Sequence, residues 1–325
     1  MTSSTTTATT TLFVLLLCAP ALSRADYPNQ VRTPSPLWRR ASSSSPPRSV
    51  PPAGFYNPND SGGKMLTVAP NTGGLGEPLN IIVSGNSDET VLVDSEDNGG
   101  FRNYMISVGF AAECLGQHEG DAQTANLGDG NGQLNETSEL RWDYGDPQLG
   151  TCQETIDGGN HFRYWIQDGP SANSGAFFLA TSYELPIQTG HDILFDGYNL
   201  GRDWLVGNAT AQSSIIPTAN LTNGTTFSGQ TSFGGYTYST DALYLSGILS
   251  NSTDGLNHAS SVGGNGVEAL DGLVAVLTVK VVSSPSATAS GARPSISTVP
   301  WWSLSATLFL TSLALSSSLL LSPSA

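Results

Sequence analysis

Short runs of β-branched and aromatic residues, each closed off by Gly, Asn or Asp, restrict what this chain can fold into more than any other feature. The clearest are Leu79–Val83, Tyr104–Val108, His161–Ile166, Ala176–Ala180 and Leu273–Val282. Residues of this kind suit half-buried pleated strands, and 36 glycines in 325 residues supply turns between them. Helical patterning is scarce; the best stretch is Asn199 to Val206, after a turn at Asp196-Gly197-Tyr198. The expected fold is therefore mainly β with few helices, a β-rich α+β arrangement built on twisted sheet as a single secreted globular domain.

Composition sets the expected limits of that domain. Residues 1–25 carry an uncharged Ser/Thr-rich start, an apolar run from Leu12 to Leu17 and small residues at Ala21, Ser23 and Ala25. The run is too short to span a bilayer, and the pattern is that of a signal peptide. Residues 26–64 are crowded with Pro, Ser and Arg and read as a disordered linker. Residues 65–282 form the ectodomain, and 283–303 a Ser/Pro-rich stalk. The tail, 304–325, is apolar from Leu304 to Leu321 with no basic residue after it. A retained spanning helix normally has Lys or Arg on its cytoplasmic flank. Small residues at Ser290-Gly291-Ala292, a spacer and the apolar tail instead match a GPI-attachment signal, with Ser290 as the expected anchor site.

Two further features fit the secretory pathway and the extracellular side of a plasma membrane or cell wall. Loss of residues 1–25 removes Cys18 and leaves Cys114 and Cys152, which an oxidising compartment would join as a disulfide; two buried free thiols are the alternative. Asn-X-Ser/Thr sequons stand at Asn59, Asn135, Asn208, Asn220, Asn223 and Asn251, and such sites mark exposed loops when they carry glycans.

Residues 65–282 hold 25 Asp and Glu against Arg102, Arg141, Arg163, Arg202 and Lys280, a net charge of −20. A field of that sign repels phosphate backbones, so nucleic acid is not an expected partner. With four arginines in the domain, two distinctive segments attract attention. In His161-Phe-Arg-Tyr-Trp165, strand alternation sets His161, Arg163 and Trp165 on one face and Phe162 and Tyr164 on the other. That face suits either an oxyanion or phosphate clamp or a cross-strand ion pair with Asp or Glu. The second segment carries His191, Asp192, Asp196, Arg202 and Asp203. His191, Asp192 and Asp196 are metal-compatible donors, so a divalent metal is the one cofactor to consider; turn capping and buried ion pairs are the structural alternative. Asp129-Gly-Asn-Gly resembles part of a calcium loop without the later bidentate Glu. Nucleophile-elbow, zincin, P-loop and dinucleotide fingerprints are absent from the sequence.

The order Leu79-Asn-Ile-Ile-Val-Ser-Gly85, Gly109-Phe110, His161-Phe-Arg-Tyr-Trp165, a hydrophobic strand from Gly175 to Tyr183, then His191 with Arg202-Asp203 resembles the LssY C-terminal domain over about residues 77–207. The chain is also similar to uncharacterised secreted proteins of basidiomycete fungi. Neither resemblance implies a reaction; if the first did, His161, Arg163, His191, Arg202 and Asp203 would be its residues. Residues 116–160, acidic and glycine-rich, depart from that pattern. Three functions are therefore expected to compete. The first is an anchored, N-glycosylated surface protein with a structural or binding ectodomain, its partners the membrane through its anchor and a cell-wall glycan or surface ligand. The others are a surface hydrolase using His161 and His191 with Arg163 and Arg202, metal-assisted or not, and a cation-binding domain at the Asp129 loop.

Overall fold

The computed structural model describes residues 46–116, 120–190, 192–212, 216, 218–264 and 266–285. The expected signal peptide, Ser290, the apolar tail and His191 lie outside these. Among the described residues, no helix is long and apolar enough to cross a membrane.

The chain forms β1 (Leu79–Val83), α1 (Phe101–Val108), β2 (Phe110–Ala112), β3 (Thr124–Ala125), β4 (Leu134–Asn135), β5 (Ser138–Trp142), α2 (Gly150–Asp157), β6 (Gly159–Asp168), β7 (Asn173–Glu184), α3 (Gly197–Ala209), β8 (Thr226–Phe233), β9 (Tyr236–Ser246), α4 (Ala259–Val262) and β10 (Leu273–Ser283). The fold is mainly β: eight strands make one curled sheet, a half-barrel in the order β2-β5-β6-β7-β1-β10-β9-β8, while β3 and β4 pair separately. Within the large sheet β1 runs parallel to β10, Ile81 opposite Ala275, and the other pairings are antiparallel. All five residues of β1 are buried, as a strand covered on both faces requires. Ile81 and Val83 enter a core with Phe101, Tyr104, Phe162 and Phe177. Leu79 and Ile82 enter a second core with Trp165, Phe178 and Tyr198.

Four of the five expected strands lie within β1, β6, β7 and β10, and α3 contains the expected helix. Tyr104–Val108, expected as a strand, is instead the end of α1. The reason lies just upstream: Phe101, Tyr104, Met105 and Val108 are the buried apolar positions, spaced as one helical face. The helix ends at Gly109, whose φ of 97° is the left-handed cap that only glycine adopts without strain. Residues 46–64, assigned by composition to a linker, pack against the domain. Phe55 is buried in the second core, edge-on to Phe178, and the Ser49 amide donates to the Asn173 carbonyl.

Two cross-braces hold the elements around the sheet. Cys114 and Cys152 are disulfide-bonded, fastening α2 to the turn after β2. Gly201 brings α3 against β7 so closely that a Cβ there would lie 2.7 Å from the Ser182 carbonyl carbon.

Candidate functional site

Strands β5, β6 and β7 set charged residues opposite one another on one sheet face. Glu139 pairs with Arg163, Arg141 with His161, and His161 with Ser182. His161, Arg163 and Trp165 share that face, since Phe162 and Tyr164 enter the first core and Trp165 the second. The flanking elements add Glu113, Glu136, Glu154 from α2 and Glu184 from the end of β7. The result is a buried network. Arg163 lies 2.6 Å from Glu139 and 3.2 Å from Glu136. Arg141 reaches Glu139 at 2.6 Å, Glu154 at 2.9 Å, Glu184 at 3.3 Å and Glu113 at 3.8 Å. His161 Nδ1 is 3.5 Å from Glu184, and its Nε2 is 3.4 Å from the Ser182 hydroxyl and 4.0 Å from Glu139.

Five carboxylates therefore share two guanidiniums and one imidazole away from water, which shifts their proton affinities. Burial pushes the Glu139 carboxyl up to about 7 against the opposing pull of Arg163 and Arg141, with Glu113 and Glu136 adding to the rise. Glu184 is also held well above the usual carboxylate range, first by burial. Burial alone would lower Arg141, but Glu139, Glu154 and Glu184 outweigh it and hold the guanidinium above its ordinary value.

The network reaches the edge of the sheet. There β2 ends opposite Leu140 while β5 runs on to Ser138, and beside the gap lies a cavity of about 440 Å³ lined by Glu113, Glu136, Glu139, Ser138, Arg102 and Asn135.

Arg202 and Asp203 occupy a different setting. Arg202 is fully buried, donates through both Nη atoms to Asp271 at 2.7 Å, through Nε to Asp203 at 2.7 Å, and to the Leu273 carbonyl. It lies over the Tyr244 ring, whose hydroxyl donates to Asp203.

Of the expected metal donors, the described pair Asp192 and Asp196 each have partners of their own. Asp192 accepts from Ser261 at 3.0 Å and contacts His258 Nδ1 at 2.5 Å, while Asp196 accepts from Asn199 at 2.6 Å. The carboxylate of Asp129 is taken up by the backbone and side-chain nitrogens of Asn131 within its own turn. Among the described residues, one group brings three metal-compatible donors within 4.8 Å of one another: Glu154, His161 and Glu184. None of Glu139, Arg141, Glu154 and Glu184 stood out in the sequence, although Ser138-Glu-Leu-Arg-Trp142 already sets Glu139 and Arg141 on one strand face.

Comparison with protein-family models, with curated proteins and with solved structures gives no match.

Proposed function

We propose that this chain is a secreted, N-glycosylated surface protein, held through a C-terminal lipid anchor, whose ectodomain is a structural or binding module. The observation that carries this reading is that all four domain arginines are committed to carboxylates within the fold. Arg102 pairs with Asp94, Arg141 and Arg163 with the glutamate network, and Arg202 with Asp203 and Asp271. A clamp for an anionic substrate needs a guanidinium directed outward, whereas Arg141, Arg163 and Arg202 fasten strands, helices and loops to one another and the partly exposed Arg102 is held by Asp94.

Two features support surface display. The Cys114–Cys152 disulfide belongs to oxidising compartments. Asn59, Asn135, Asn220, Asn223 and Asn251 are exposed, as glycan carriers must be. Asn208 is the exception, because its side-chain nitrogen is enclosed; a glycan there is incompatible with the packing of α3.

The test combines two measurements. Phosphatidylinositol-specific phospholipase should release the protein from intact cells, and retention on a susceptible membrane contradicts the anchor. His161→Ala should lower the melting temperature. A variant that keeps the wild-type melting temperature but loses a measured hydrolytic activity contradicts the structural reading.

A further inference from the structure

We propose that Glu154, His161 and Glu184 bind one divalent first-row cation of the zinc or manganese class. Their donor atoms all lie within 4.8 Å of one another on three separate elements, α2, β6 and β7. His161 Nδ1 and the nearer Glu184 oxygen are 3.5 Å apart. Two donors each at about 2.0–2.2 Å from a tetrahedral ion stand roughly 3.4 Å apart, so this pair already has ligand spacing. One imidazole with two carboxylates is a donor set that suits zinc and manganese.

The imidazole is also turned for the purpose. Metal-binding histidines are oriented by a partner on the ring nitrogen that faces away from the ion. Here Nε2 faces the Ser182 hydroxyl and, farther off, Glu139, which leaves Nδ1 toward the carboxylates.

Charge points the same way. Five buried or nearly buried carboxylates, Glu113, Glu136, Glu139, Glu154 and Glu184, share Arg141 and Arg163, and a further cation would offset the surplus. Arg141 Nη1 lies 2.9 Å from Glu154 and 3.3 Å from the same Glu184 oxygen that faces Nδ1; an ionised carboxylate has about four acceptor positions, so the site requires both glutamates to serve the guanidinium and the ion together. Glu184, with 11% of its side chain exposed, gives the ion its entry, and the disulfide at Cys152 fixes the helix that carries Glu154.

The experiment uses the secreted protein stripped with EDTA and titrated with Zn²⁺ and with Mn²⁺, reading stoichiometry by calorimetry and stability by melting temperature. We expect one equivalent bound with a raised melting temperature. Ser182→Ala should weaken binding roughly 10-fold by releasing the histidine, Glu184→Gln should weaken it further, and His258→Ala should leave it unchanged. No binding by the wild type overturns the proposal. So does undiminished binding in both the Ser182 and Glu184 variants, which would place the ion elsewhere. If the variants do not fold, Mn²⁺ added to the wild type still decides: His161 ring resonances should broaden at one equivalent, and sharp His161 signals overturn the site.

Discussion

Arg202 and Arg141 are both buried arginines surrounded by carboxylates, yet their surroundings are built on opposite balances. Around Arg202, one guanidinium meets Asp203 and a bidentate Asp271, and the remaining acceptor is the Leu273 carbonyl. Each of the three nitrogens has a fixed destination, and the group ties α3 to the segment leading into β10. Around Arg141 and Arg163, five glutamates crowd two guanidiniums and a histidine, and one of those glutamates, Glu139, is raised to about 7. Burial of ions is tolerated where each is paired and hydrogen-bonded; surplus charge of one sign must be relieved by protons or by another cation. The first arrangement is a fastening. The second stores a charge imbalance that responds to its surroundings.

The largest expected effect strikes the fastening. Arg202→Met leaves Asp203 and Asp271 facing the gap, and urea denaturation should show a loss of about 3–5 kcal/mol. A loss below about 1 kcal/mol would erase the distinction between the two regions, because such a value belongs to a solvent-exposed pair.

Removing the disulfide should come next. Replacing Cys114 and Cys152 with Ala opens a sequence separation of 38 residues, for which chain entropy gives roughly 4 kcal/mol at most, and less where the unfolded chain retains structure. Because Cys152 lies on the helix that supplies Glu154, amide exchange should rise across α2 and β5 and stay unchanged at Arg202. Uniform acceleration would mean that the two regions are not independent.

The smallest effect belongs to the partly exposed pair. Arg102 bonds Asp94 at 2.7 Å with about a quarter of each side chain exposed, and Tyr164 also donates to Asp94. Arg102→Ala should therefore cost about 1 kcal/mol or less. A much larger loss would show that exposure does not separate fastening pairs from surface pairs in this fold.

How much of this was legible depends on the range of the interaction. Alternation along His161–Trp165 gave the two faces of β6 because strand geometry alone fixes them. α1 was misread because a window starting at Tyr104 omits Phe101, which completes the helical spacing. α2, eight residues with a sparse apolar pattern, takes its place from the disulfide and from Glu154 against Arg141. Partner identity was the least legible. Asp271 stands 69 residues from Arg202, and Glu139 meets Arg163 through a register that no local pattern encodes. Twenty-five acids in the domain made some carboxylate neighbour certain, and only the folded chain selects which.

Stability measured against pH in metal-free buffer tests the contrast most directly. A carboxyl raised to about 7 in the folded state, from 4.5 when unfolded, supports the fold below pH 4.5, and that support is lost as pH rises through 7. Between pH 4.5 and 8 the wild type should lose roughly 3 kcal/mol more than Glu139→Gln, whose amide stands in for the protonated acid. Parallel curves for the two proteins would contradict a buried surplus of negative charge at Glu139.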